Sequence, residues 1–149
     1  MSELASTPAP IPMPVRCNGD ALLLLSMAAK PEPEVLAFLL DRQGLGGVVL
    51  AVGNARRPDR VLGVVDVVAR AGEQVGGMAS LVVASVRPKG AMLPGDAQRW
   101  LTASDMCRQH GLVLVEWYVL GRHGPQLPRE LVGEPSRWPV SQEPDVAPA

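Results

Sequence analysis

Aromatic residues make up only 3% of this 149-residue chain, as three Trp, one Tyr and one Phe. With 47% of its residues apolar, the core must therefore be built from Val, Leu, Ala and Met. An excess of either charge is also missing. Fourteen basic against fifteen acidic residues leave a net charge of -1, too little for an overall field that would hold nucleic acid, although a local basic patch stays open. There are two cysteines, Cys17 and Cys107, far apart and without CxxC spacing, which excludes a disulfide framework and points to free thiols in a reducing cytosol. The apolar run Ala21–Ala29 is nine residues long, too short to span a bilayer, and no basic leader precedes it. It is expected to be a short buried helix in a cytoplasmic protein with no membrane contact. No internal repeat is visible. Gly44-Leu45-Gly46-Gly47 is followed by a strand pattern and not by a helix start, so it fails as a phosphate-binding loop.

Length and composition fit one domain with a real core. Residues 1–18 form a Pro-rich segment expected to be a disordered tail, with a PxxP-type ligand as the functional alternative. Residues 19–139 are expected to form a single domain, and residues 140–149 a second disordered tail. Within the domain, Pro31 and Pro33 end the first helix. Glu34–Leu40 and Val48–Val52 form a hairpin across Asp41-Arg42-Gln43-Gly44. Arg56 and Arg57 fall in the following loop, either as a phosphate-contacting patch or as solvated side chains. Val61, Val64, Val65 and Val68 then recur at helical spacing, with Asp59 able to cap and Gly72 able to terminate. Beyond Gly121 the chain is again Pro-rich, and Leu127, Leu131, Val132 and Trp138 can cover a sheet edge.

The organising stretch is Ser80–Asp105. Leu81, Val82 and Val83 form an uninterrupted branched run, as a strand buried on both faces would. Pro88, Gly90, Pro94 and Gly95 break the pattern, and a helix follows with Asp96 as its expected N-cap, Ala97, Trp100, Leu101 and Ser104 or Cys107 at helical spacing, and Gly111 as its stop. Leu112–Leu120 is the next strand.

This frame resembles the RadC family, whose core is a JAB/MPN (JAMM) metalloprotease-like domain. In that family an apolar strand runs into His-Asn-His-Pro-Ser-Gly and then into Pro-Ser, two variable residues and Asp at a helix start. Pro88, Gly90 and Pro94 keep the punctuation, whereas Ser85 and Arg87 stand for the two His, Gly95 for the Ser and Gln98 for the metal-binding Asp. Glu34-Val35-Leu36-Ala37-Phe38-Leu39-Leu40-Asp41 is similar to the strand carrying the catalytic Glu. Gly77–Ser80 and Leu114–Gly121 match two further family segments, with Glu116-Trp117 in place of Asp-His. The resemblance implies an α+β, cytidine-deaminase-like fold with a mixed central sheet flanked by helices.

It also implies a lost chemistry. A JAMM hydrolase holds zinc with two His and one Asp and leaves the fourth position to water, whose pKa the metal brings to about 7. Ser85 is a poor ligand at neutral pH, Arg87 places a fixed positive charge at the cation's position, and Gln98 offers a neutral amide. No metal, cofactor or catalytic residue is expected. Arg87 either pairs with Glu34 in the vacated pocket or reaches solvent, leaving Glu34 as a strand-edge acid. Asp96 lies about 200° around the helix from Gln98 and cannot replace the lost ligand there. A relocated metal site would need His110 or His123 with Cys107 or Cys17.

Three functions follow. The first is a catalytically inactive RadC-like JAB/MPN module acting through a protein partner or a homodimer, with no nucleic acid expected. The alternative is a metal-dependent hydrolase or DNA-repair-associated RadC-like protein with a rebuilt site. The third is an unrelated small α/β domain, such as part of a toxin, phage or mobile-element system.

Overall fold

In the computed structural model, which describes residues 9–10, 14–46 and 48–139, the Leu81–Ala84 run is the middle of a nine-residue strand. The elements are β1 (Ala9–Pro10), α1 (Asn18–Ala28), β2 (Glu34–Asp41), β3 (Val48–Gly53), α2 (Arg60–Val75), β4 (Met78–Val86), α3 (Asp96–Gln109), β5 (Val113–Gly121), β6 (Gly124–Gln126) and α4 (Pro128–Leu131). The sheet order is β1-β3-β2-β4-β5-β6. Apart from the two-residue β1 it is a five-stranded mixed sheet, in which β4 and β5 run parallel and the other pairs antiparallel. The α+β class with helices flanking a mixed sheet is as expected.

Alternation along β2 and β4 builds two cores. Val35, Ala37, Leu81 and Val83 face α2 and α3, where they meet Val61, Val65, Trp100 and Cys107. Leu36, Phe38, Leu40, Val82, Ala84 and Val86 face the other way, under Ala21, Leu24 and Leu25 of α1. Each Val, Leu or Phe among them, fully buried, contributes roughly 1.5–3 kcal/mol from burial. Both faces of the central strands are therefore dry, as the unbroken apolar run requires. Between Leu114 and Glu116 the β5 register slips by one residue against Leu81 and Val82. That bulge lets Trp117 join the α2/α3 core and Tyr118 the α1 core.

Four boundaries differ from the sequence expectation. The chain joins the fold before residue 18, because Val15 is buried and its N–H donates to the Gly44 carbonyl at 2.7 Å, while Ala9–Pro10 pair with β3. The rest of the expected tails, residues 1–8, 11–13 and 140–149, lies outside the described residues. The α2 helix passes through Gly72 and ends at Gly76, whose φ of 79° only glycine adopts cheaply. Gly72 instead permits close packing: a Cβ there would sit 3.0 Å from Leu112 Cδ1 and 3.1 Å from Leu39 Cδ2. At the start of α3 the N-cap is Gly95, with φ 91°, and Asp96 is the first helical residue. Beyond Gly121, β6 and α4 add a short edge that the Pro-rich text conceals.

Candidate functional site

The β4 strand ends at Val86, and the turn after it crosses the sheet end toward β5. Arg87 N–H donates to the Leu120 carbonyl at 2.9 Å and Arg122 N–H to the Gly90 carbonyl at 2.8 Å, so the Pro88–Gly90 turn is pinned to the tip of β5. Gly121 has to be glycine here, because the Gly90 carbonyl occupies the space a Cβ would need. This turn and the Arg56–Pro58 loop before α2 enclose a cleft of about 250 Å³. Its floor includes Pro33, Val35, Val61 and Ser85, and its rim carries Arg56, Arg57, Arg87 and Lys89.

Two of the five positions that the family pattern marks line this cleft, Ser85 and Arg87. Both are engaged by protein groups. The Ser85 hydroxyl accepts the Trp117 indole N–H at 3.0 Å in a buried setting. The Arg87 guanidinium donates to both carboxylate oxygens of Asp96, at 2.8 and 3.1 Å, and to the Ala91 carbonyl at 2.9 Å. It lies 5.9 Å from the centroid of the Trp117 ring. Asp96 is fully buried and also accepts from Leu93 N–H at 2.7 Å and Arg99 Nη1 at 2.9 Å. Burial alone would raise the Asp96 carboxyl, but the hydrogen bonds from Arg87, Leu93 and Arg99 outweigh it and hold it below the usual carboxylate range. Arg99 continues the chain of charges to Asp59 at 2.7 Å, so the expected cap residue of α2 is bound by α3 and makes no capping bond.

Glu34 is not Arg87's partner, nor is it an exposed edge acid. It pairs with Val86 across the β2–β4 ladder, which puts its side chain on the α1 face. Arg87, one residue further on, sits over Trp117 on the α2/α3 face. A register offset of one residue thus separates the two groups by the thickness of the sheet. Glu34 as a residue is 3% exposed, and its carboxylate takes the Lys30 N–H at 2.6 Å and is raised above its ordinary pKa by burial. On the cleft side, this end of β2 offers only Pro33 and Val35, neither of which can act as a base. Gln98 is exposed, on the opposite side of α3 from Asp96, and Gly95 holds a left-handed backbone that a serine there would strain.

The proposed relocated metal sites are not assembled either. Cys107 lies in the core, His110 Nδ1 sits 2.6 Å from Glu73, and Cys17 precedes α1 on the other face. Among the described residues no group of three or more His, Cys, Asp or Glu is placed to hold a metal ion.

Comparison with protein-family models, with curated proteins and with solved structures finds no match to the chain. The site therefore rests on its own geometry.

Three features escape the sequence reading. Asp96 is the counter-charge of Arg87, and the available signal was an acid nine residues downstream of it, just past a Pro-Gly turn. Glu116 is fully buried against Arg129 of α4, with Oε2 2.9 Å from Nε. Arg137 lies 4.6 Å over the Trp100 ring and donates to Ser104 and the Leu114 carbonyl, closing the C-terminal segment over α3.

Proposed function

We propose that this chain is a non-catalytic RadC-like JAB/MPN module that works by binding, as a scaffold for a protein partner or a second copy of itself. The observation that carries this reading is the engagement of Ser85 and Arg87 by Trp117 and Asp96 on a face of the sheet that Glu34 does not share. A hydrolytic zinc site needs open ligands, a water position and a base on one side. The cleft instead offers a hydroxyl already in use and a guanidinium that is always charged. The adjacency of β2 and β4 is the arrangement the resemblance requires at strand level.

Protein contact is supported by α1. Its apolar residues lie all around the helix, and a helix of that kind is ordinarily covered on more than one side. Leu24 and Leu25 pack on the sheet, whereas Leu23 is 53% and Met27 65% exposed, one turn apart. No helix among the described residues is long and apolar enough to cross a membrane.

The test is an assay of zinc-supplied protein against isopeptide-linked, peptide and nucleic-acid substrates, with and without chelator, alongside sedimentation velocity. The reading expects no chelator-sensitive turnover, and self-association that Leu23→Glu with Met27→Glu abolishes. A strict monomer confines the partner to a different chain. Turnover abolished by a chelator contradicts the proposal.

A further inference from the structure

The charge on the cleft rim is unbalanced. Arg87 is neutralised by Asp96, but Arg56, Arg57 and Lys89 form no ion pair among the described residues. Among the described residues no Asp or Glu lines the cleft, and the acid nearest to Arg57 in sequence, Asp59, is held by Arg99. Three exposed cations on two loops therefore converge on one concavity in a chain whose net charge is -1. Like charges gathered this way repel one another, and a bound dianion relieves the repulsion. The floor beneath them is apolar, formed by Pro33, Val35, Pro58 and Val61.

We propose that this cleft binds a small organic phosphomonoester, with the phosphate between the Arg56–Arg57 loop and Lys89 and its apolar body on the Val35–Val61 floor. Arginine forks match phosphate oxygens in bidentate fashion, and a lysine adds a point charge from the opposite side. A volume of about 250 Å³ takes a fragment-sized ligand; it is smaller than the pockets that bury drug-sized molecules. A nucleic-acid strand would instead need an extended basic track. The inference goes beyond the proposed scaffold role, which places protein contact on α1. Chelator-sensitive turnover would remove the scaffold reading alone, and loss of phosphate binding would remove this inference alone.

The experiment is titration of the full chain, followed by backbone amide NMR at low ionic strength, with phenyl phosphate, inorganic phosphate, phenol and a short single-stranded oligonucleotide. Phenyl phosphate is expected to shift the amides of Arg57, Lys89 and Gly90 saturably and to bind about tenfold more tightly than inorganic phosphate or phenol. Arg57→Ala with Lys89→Ala is expected to weaken it by at least about tenfold while leaving the remaining spectrum folded, since both side chains are exposed and form no ion pair among the described residues. Binding of inorganic phosphate as tight as that of phenyl phosphate overturns the apolar half of the inference. Shifts elsewhere, insensitivity to the double substitution, or tighter binding of the oligonucleotide overturns it entirely.

Discussion

Arg87 closes on both carboxylate oxygens of Asp96, at 2.8 and 3.1 Å, and this bridge joins the end of β4 to the first residue of α3. Asp96 is fully buried and Arg87 13% exposed. Removing one partner of such a pair leaves a charge without compensation, at a cost of about 3 kcal/mol. Asp96→Asn is therefore expected to lower unfolding free energy by about that amount in urea denaturation at pH 7. The Asp96 pKa is depressed in the folded state, so its contribution is present above the unfolded aspartate value of about 3.9 and is lost as pH falls through the folded value. The gap between wild type and Asp96→Asn should shrink accordingly below about pH 4.

Glu34 carries the opposite sign. Burial raises its pKa, so its contribution is fully present below the unfolded glutamate value of about 4.3 and is lost as pH rises through the folded value. Glu34→Gln removes a buried carboxylate without stranding an arginine, and is expected to change stability by less than about 1 kcal/mol at pH 7. The same denaturation series checks this. A loss as large as that of Asp96→Asn would show that Glu34 balances a buried cation after all.

Glu116 and Arg129 test the second buried pair. Arg129→Met alone strands Glu116, whose pKa burial has already raised, and is expected to cost about 3 kcal/mol. Glu116→Leu with Arg129→Met is expected to recover most of that loss, because an apolar pair of similar volume avoids desolvating two charges. A double-mutant cycle measures the coupling.

The thiols should behave very differently. Cys17 is exposed, whereas Cys107 is in the core and burial pushes its pKa up to about 12. One thiol is expected to react with iodoacetamide in the native protein, and the second only in denaturant. Mass mapping assigns each.

The backbone was legible where the chemistry is local. The branched Leu81–Val83 run marked the doubly buried strand, and the Val61, Val64, Val65 and Val68 spacing marked the face of α2. Pairings across distant elements were not legible. Whether Arg87 meets Glu34 or Asp96 depends on a β2–β4 register that sequence alone leaves free by one residue, and one residue reverses the face. Asp96 resembled a cap because acids at helix starts usually are, and only the left-handed Gly95 shows that the cap position lies one residue earlier. Glu116 opposite Arg129 required the α4 turn, which lies in a Pro-rich stretch with little periodicity.

The central claim is that Ser85 and Arg87, which stand where the resemblance would place metal ligands, are engaged by Trp117 and Asp96 and do not accept a divalent cation. Metal analysis of the purified chain after equilibration with excess zinc and removal of the free ion tests it most directly. The account predicts far less than one zinc per chain, with no change in amide shifts at Ser85, Arg87 or Asp96. One tightly held zinc per chain that shifts those amides would contradict it.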